Sequence, residues 1–169
     1  FEPKLSDFRK RDEREPNEDE AKLLVDQAEF LYDAYIREQK LLALAEMKII
    51  FLFKSLEISL KKLVEIAYSK EKAKKLFRWE DIKDSFKEHN VYLSKFDEYD
   101  EVIELKQVSN NIKHSESIST EVNSIREFRS ESIFNYQDLE DFYSRIEMNI
   151  NSFISSLSNS LINDLTAGT

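Results

Sequence analysis

Apolar residues recur at steps of three and four along most of this chain, the spacing that gathers them on one face of an α-helix. Leu24, Ala28, Leu31 and Tyr35 form the first such stripe. Asn17-Glu18-Asp19-Glu20 ahead of it reads as a helix start. Asn17 can cap, Glu20 stands in capping-box position, and an acidic first turn suits the helix dipole. A first helix is therefore expected to about Gln39. Ile49, Phe53, Leu56, Leu60, Leu63 and Ala67 form a second stripe and predict a helix from about Leu42 to Tyr68. Phe51, Leu52 and Ile58 fall off that stripe. Such a helix is apolar on more than one side, as one central to a bundle or buried in an oligomer would be.

Residues 69–78 hold five cations and one acid. A short helix follows around Trp79–Glu88, with Trp79, Ile82 and Phe86 on one face and Asn90 as its stop. Another is expected over about Asp97–His114. Ser115–Ile133 carries six serines and no clear period, which predicts a long loop. The last helix starts near Asn135, with Asp138 in capping-box position, and Leu139, Tyr143, Ile146, Ile150, Phe153, Leu157 and Leu161 carry it to about Leu165. The expected fold is all-α: an antiparallel four-helix bundle with a short accessory helix and a long loop before the last helix. Residues 1–16 contain both prolines and set Arg9-Lys10-Arg11 against Asp12, Glu13 and Glu15. They are expected to form a charged N-terminal arm, with the bundle over residues 17–165 and a tail over 166–169.

Composition narrows the functions. A length of 169 residues, 41% apolar and 35% charged, suits one domain. The sole glycine, Gly168, leaves no position for a phosphate-cradling glycine loop, which excludes a P-loop and a dinucleotide-binding fingerprint. With no cysteine there is no disulfide scaffold, thiolate zinc site or cysteine nucleophile. Two histidines, His89 and His114, cannot build a multi-histidine metal site, and no metal or cofactor is expected. A net charge of −9 argues against a broad nucleic-acid surface while leaving room for a local basic groove. No apolar run approaches the roughly 20 residues that span a bilayer, so no membrane partner is expected. No signal-peptide pattern opens the chain, and a cytoplasmic location is the expectation.

Chemistry concentrates in Glu104–His114. At 100° per residue, Leu105, Val108 and Ile112 fall on one side and must face the core. Lys106, Asn110 and His114, spaced i, i+4, i+8, fall together on the far side, with Ser109 and Lys113 beside them. That ridge carries two amines, an amide, a hydroxyl and an imidazole, with no carboxylate among them. On an acidic protein this set suits an anionic ligand such as a phosphodiester. Elsewhere, His89 reads as a surface or capping residue, and the lysines of 70–78 as a solvated helix end.

The ending Asn110-x-x-Lys113-His114, preceded by Leu105-Lys106, resembles the signature helix of the HEPN superfamily of nucleotide-binding helical domains. The layout is similar over roughly residues 20–165: a two-sided second helix, the stretch Asp81-Ile82…Phe86-Lys87-Glu88-His89-Asn90, the motif helix, a variable loop and a long last helix. Many members are metal-independent RNA endonucleases of toxin–antitoxin and other bacterial defence systems, working as dimers whose motifs share one cleft. The resemblance implies a homodimer, an RNA or nucleotide ligand, and an antitoxin or effector protein as partner. It implies His114 as the proton-transfer group, Asn110 as its orienting residue, and Lys106 and Lys113 offsetting charge, with Ser109 beside them on the phosphate. An imidazole with an unperturbed pKa near 6.5 can act as acid or base at neutral pH. The family pattern also carries an arginine separated from the histidine by four to six residues; Gln107, Val108 and Ser109 stand there instead. Two readings follow: a metal-independent endoribonuclease or RNA-binding module, or a catalytically inactive helical module for dimerisation or protein interaction.

Overall fold

The computed structural model describes residues 17–167; the expected arm over 1–16 and the last two residues of the expected tail lie outside the described residues. Among the described residues there are six α-helices, two short 3-10 turns and no strand. The chain divides into two units, residues 1–39 and residues 40–169.

In the first unit the described residues belong to the opening of α1 (Glu18–Ala67). Its start is a reciprocal capping box. The Glu20 backbone N–H donates to Asn17 Oδ1 at 2.9 Å, and the Asn17 N–H donates to Glu20 Oε2 at 3.0 Å. One expectation is corrected here. No helix ends near Gln39: α1 runs unbroken to Ala67, because Leu41-Leu42-Ala43-Leu44 are strong helix formers and no glycine or proline intervenes. The stripe Leu24, Ala28, Leu31 and Tyr35 is exposed.

In the second unit the rest of α1 buries Ala45, Ile49, Phe53, Leu56, Leu60 and Val64, the side that the period of 3.6 indicates. Phe51 and Ile58 stay exposed. Ser69 caps α2 (Lys70–Ala73) by accepting from the Lys72 N–H at 3.1 Å. The cations that follow are partly paired, Lys74 with Glu71 at 2.9 Å and Lys72 with Glu88 at 2.8 Å. At the start of α3 (Trp79–Lys87) Asp81 Oδ2 accepts from the N–H groups of Arg78 and Phe77. These bonds, that from Arg78 first, hold its carboxyl below the usual range. At the other end of α3 the Asn90 N–H reaches Lys87 O and the Val91 N–H reaches Phe86 O. This is a Schellman closure with Asn90 in the left-handed region at φ 63°. A 3-10 turn (Leu93–Lys95) leads to α4 (Tyr99–His114).

Helix α4 and the last helix, α6 (Tyr136–Ala167), run antiparallel. Three polar contacts climb one helix as they descend the other: Glu98 with Ser152, Glu101 with Asn149, and Glu104 with Arg145. Beneath them Val102, Leu105 and Val108 pack with Leu139, Phe142, Ile146, Ile150 and Phe153 in one core. Truncating any of the fully buried phenylalanines in such a core costs about 3–5 kcal/mol.

The segment between these helices is not the featureless loop its serines suggest. It contains α5 (Thr120–Asn123) and a 3-10 turn (Arg126–Phe128). Val122, Ile125 and Phe128 from it are buried, with the Phe128 ring 5.2 Å from Phe134 and 5.3 Å from Phe142. Asn123 organises the return by donating to the carbonyls of Phe128 and Glu131. Among the described residues no helix is long and apolar enough to cross a membrane.

Candidate functional site

Helix α4 sorts its side chains as its period requires. Leu105 and Val108 are fully buried and Ile112 packs against the core. Lys106, Asn110 and His114 turn to the other side and line one open cleft of about 330 Å³. At 1.5 Å rise per residue they are spread over about 12 Å of the helix. Gln107 and Asn111 join them from α4, Ser115 from the helix end, and Ser119 and Glu121 from the start of α5.

The far wall is held by Asn111, whose side chain is buried. Its amide donates to Ser117 O at 2.8 Å and its Oδ1 accepts the Ser119 N–H at 2.7 Å. Ser119 then caps α5, its Oγ accepting from the Val122 N–H. The wall of the cleft is thus pinned to the helix that forms its floor.

Lys106 has two neighbours from α3. Its Nζ lies 5.8 Å from the Trp79 ring centroid and 3.9 Å from Glu80 Oε1. The first geometry is a cation over an aromatic face; the second is a long, solvent-screened pair worth little. By contrast, the side chains of Gln107, Asn110 and His114 have no hydrogen-bond partner among the described residues.

Three expectations change. Ser109 is fully buried and its Oγ has no partner, so it lies under the ridge and cannot reach a ligand in the cleft. It stands about 40° from Leu105 and about 60° from Ile112 around the helix and so shares their core-facing side. Lys113 is exposed, but its Nζ lies over the Phe53 ring at 5.2 Å, and it does not line the cleft. The cleft is also not free of carboxylate: Glu121 comes to it from α5. The hydrogen bonds of Glu121, to its own backbone N–H first and then to the Ser119 hydroxyl, hold its carboxyl below the usual range. It lines the same cleft as Lys106 and His114.

Sequence reasoning missed Gln107, Asn111, Ser119 and Glu121. Asn111 carried a signal, being a polar residue 100° from Asn110 and next to the apolar arc of Leu105, Val108 and Ile112. Glu121 carried none, because its place depends on a fold of the serine-rich segment that has no periodic signature.

Among the described residues no group of three or more histidines, cysteines or carboxylates could hold a metal ion. No protein-family model, curated protein or solved structure matches this chain.

Proposed function

We propose that this chain is a HEPN-like helical module that binds RNA in the α4 cleft and cleaves it without a metal ion, in a bacterial defence or toxin–antitoxin role. The observation that supports this most is the convergence of Lys106, Asn110 and His114 on one cleft. In the reaction the RNA 2′-oxygen attacks the adjacent phosphorus and the bond to the 5′-oxygen breaks. The products are a 2′,3′-cyclic phosphate and a 5′-hydroxyl. One proton leaves the 2′-hydroxyl and one reaches the departing 5′-oxygen, so the site needs an acceptor, a donor and charge stabilisation. His114 fills a proton-transfer role, Asn110 orients the imidazole or a phosphate oxygen, and Lys106 offsets negative charge at the phosphorus. Lys113, outside the cleft, serves only as a peripheral contact for the backbone. A homodimer brings two such ridges to one substrate, in the cytoplasm, with an antitoxin or effector protein as its regulator.

The second reading is a catalytically inactive module for dimerisation or protein interaction. The residues that favour it are Gln107, Val108 and Ser109, which stand where the family pattern has arginine, together with the Glu121 carboxylate opposite the phosphate. Lysine at 106 does not reproduce the bidentate fork of arginine.

Incubation of the purified chain with structured RNA in EDTA separates the two. Cleavage that leaves 2′,3′-cyclic phosphate ends and disappears in His114→Ala is the expected result. Intact RNA, with no toxicity on expression, favours the inactive module.

A further inference from the structure

We propose that residues 18–39 of α1 pair with the same segment of a second copy as an antiparallel two-helix coiled coil. Seven large apolar side chains between Leu23 and Tyr35 are more than half exposed. Five of them, Leu24, Val25, Leu31, Tyr32 and Tyr35, fall within about 120° of the helix circumference and present on the order of 600 Å², against the roughly 800 Å² that each partner contributes to a standard interface. An exposed apolar patch of that size marks an association site. The polar residues Asp19, Lys22, Asp26, Glu29, Asp33 and Arg37 follow one another at steps of three and four, so they occupy one narrow stripe. The side opposite that stripe holds Leu24, Ala28, Leu31 and Tyr35, with Glu20, Gln27 and Glu38 along one edge of it.

The pattern itself indicates a second copy. Leu24, Ala28, Leu31 and Tyr35 alternate steps of four and three, the heptad spacing with which identical helices interlock. Antiparallel pairing sets Leu24 against Tyr35 of the second copy and Ala28 against Leu31 of the second copy, so each layer combines unlike sizes and fills evenly. Parallel pairing would set Ala28 on Ala28 and leave a void, which costs packing energy. It would also bring two acidic first turns together, whereas the antiparallel arrangement places them at opposite ends of the pair. The segment has seven acids against two bases. Two copies repel at low ionic strength, and screening makes association tighten as salt is added.

This inference does not rest on the ribonuclease reading, and its test needs no RNA. The natural chain has no cysteine. In sedimentation at tens of micromolar the full chain should be a dimer, tighter in high salt. Leu31→Glu should make it monomeric without moving the melting of the 40–169 unit, and Glu29→Gln on the polar stripe should leave the dimer intact. Under mild oxidation, a mixture of Leu24→Cys and Tyr35→Cys chains should cross-link to one another. Leu24→Cys alone should not, since two Leu24 positions are then offset by about 16 Å along the helices, beyond disulfide reach. A monomeric natural chain, a dimer that survives Leu31→Glu, or Leu24→Cys cross-linking to itself would each overturn the proposal.

Discussion

The Asn111 side chain accepts the backbone N–H of Ser119 at 2.7 Å and thereby ties the start of α5 to the end of α4. With its other end donating to Ser117 O, one buried amide satisfies both polarities of a backbone that would otherwise lose water unpaired. Asn111→Ala leaves both groups without a partner and should destabilise the protein by about 1–3 kcal/mol. Asn111→Asp keeps the acceptor and loses the donor, so it should fall between. Urea unfolding measures the cost, and faster hydrogen exchange at the Ser119 amide would locate it at the cleft wall.

Of the three positions where the family pattern permits arginine, the structure leaves only one facing the cleft. Val108 and Ser109 are buried, and Gln107 lines the wall. Gln107→Arg should therefore raise affinity for a short RNA, with a steeper loss of binding as salt increases. Ser109→Ala should leave binding unchanged and hold or raise stability by about 1 kcal/mol, because it removes a buried hydroxyl without a partner. Fluorescence-polarisation titrations and thermal melts of the two variants would check this contrast.

Arg145 joins α6 to two carboxylates, Glu104 at 2.7 Å and Glu127 at 2.7 Å, the latter 5% exposed. Burial pushes the Glu127 carboxyl up, but the hydrogen bonds and charge of Arg145 outweigh it and hold the group below its ordinary 4.5. The same contacts push the Arg145 guanidinium up. A carboxylate depressed by folding contributes stability above its unfolded pKa, and that contribution is lost as pH falls through the folded value. The melting temperature should drop on acidification below about pH 4.5, and less steeply in Glu127→Gln. Near neutral pH, Arg145→Met should cost about 2 kcal/mol, less than the 3–5 of a fully buried pair because the guanidinium keeps some solvent.

Asn90 holds a left-handed corner at φ 63° in a chain with no glycine to spare for it. Asn90→Val should destabilise the protein by about 1–2 kcal/mol, because a side chain branched at Cβ tolerates positive φ far less than asparagine does, while Asn90→Gly should be tolerated. Denaturant midpoints of the two variants would show the difference directly.

The sequence made most of the helical framework legible because helices write themselves into it locally. The period of α4 separated Leu105 and Val108 from Lys106, Asn110 and His114, and the capping side chains of Asn17 and Asn135 marked true helix starts. The stop at Asn90 was visible for the same reason. The unmarked features depend on distant contacts. Val122, Ile125 and Phe128 recur at steps of three over too short a run to predict a helix, so the core of 115–133 appears only when α4 and α6 are in place. The exposed stripe from Leu24 to Tyr35 has the period of a buried face, and periodicity does not say which chain supplies the cover. Ser109 was misread because one step of 100° on a helix edge separates a wet side chain from a dry one.

Trp79 is the chain's sole tryptophan, and its ring lies 5.8 Å from the Lys106 ammonium that lines the cleft. Indole emission responds to nearby charge, so the protein carries an intrinsic optical reporter at its own candidate site. Anything that draws Lys106 away from the ring should change the intensity or wavelength of that emission, giving a label-free titration in the native chain.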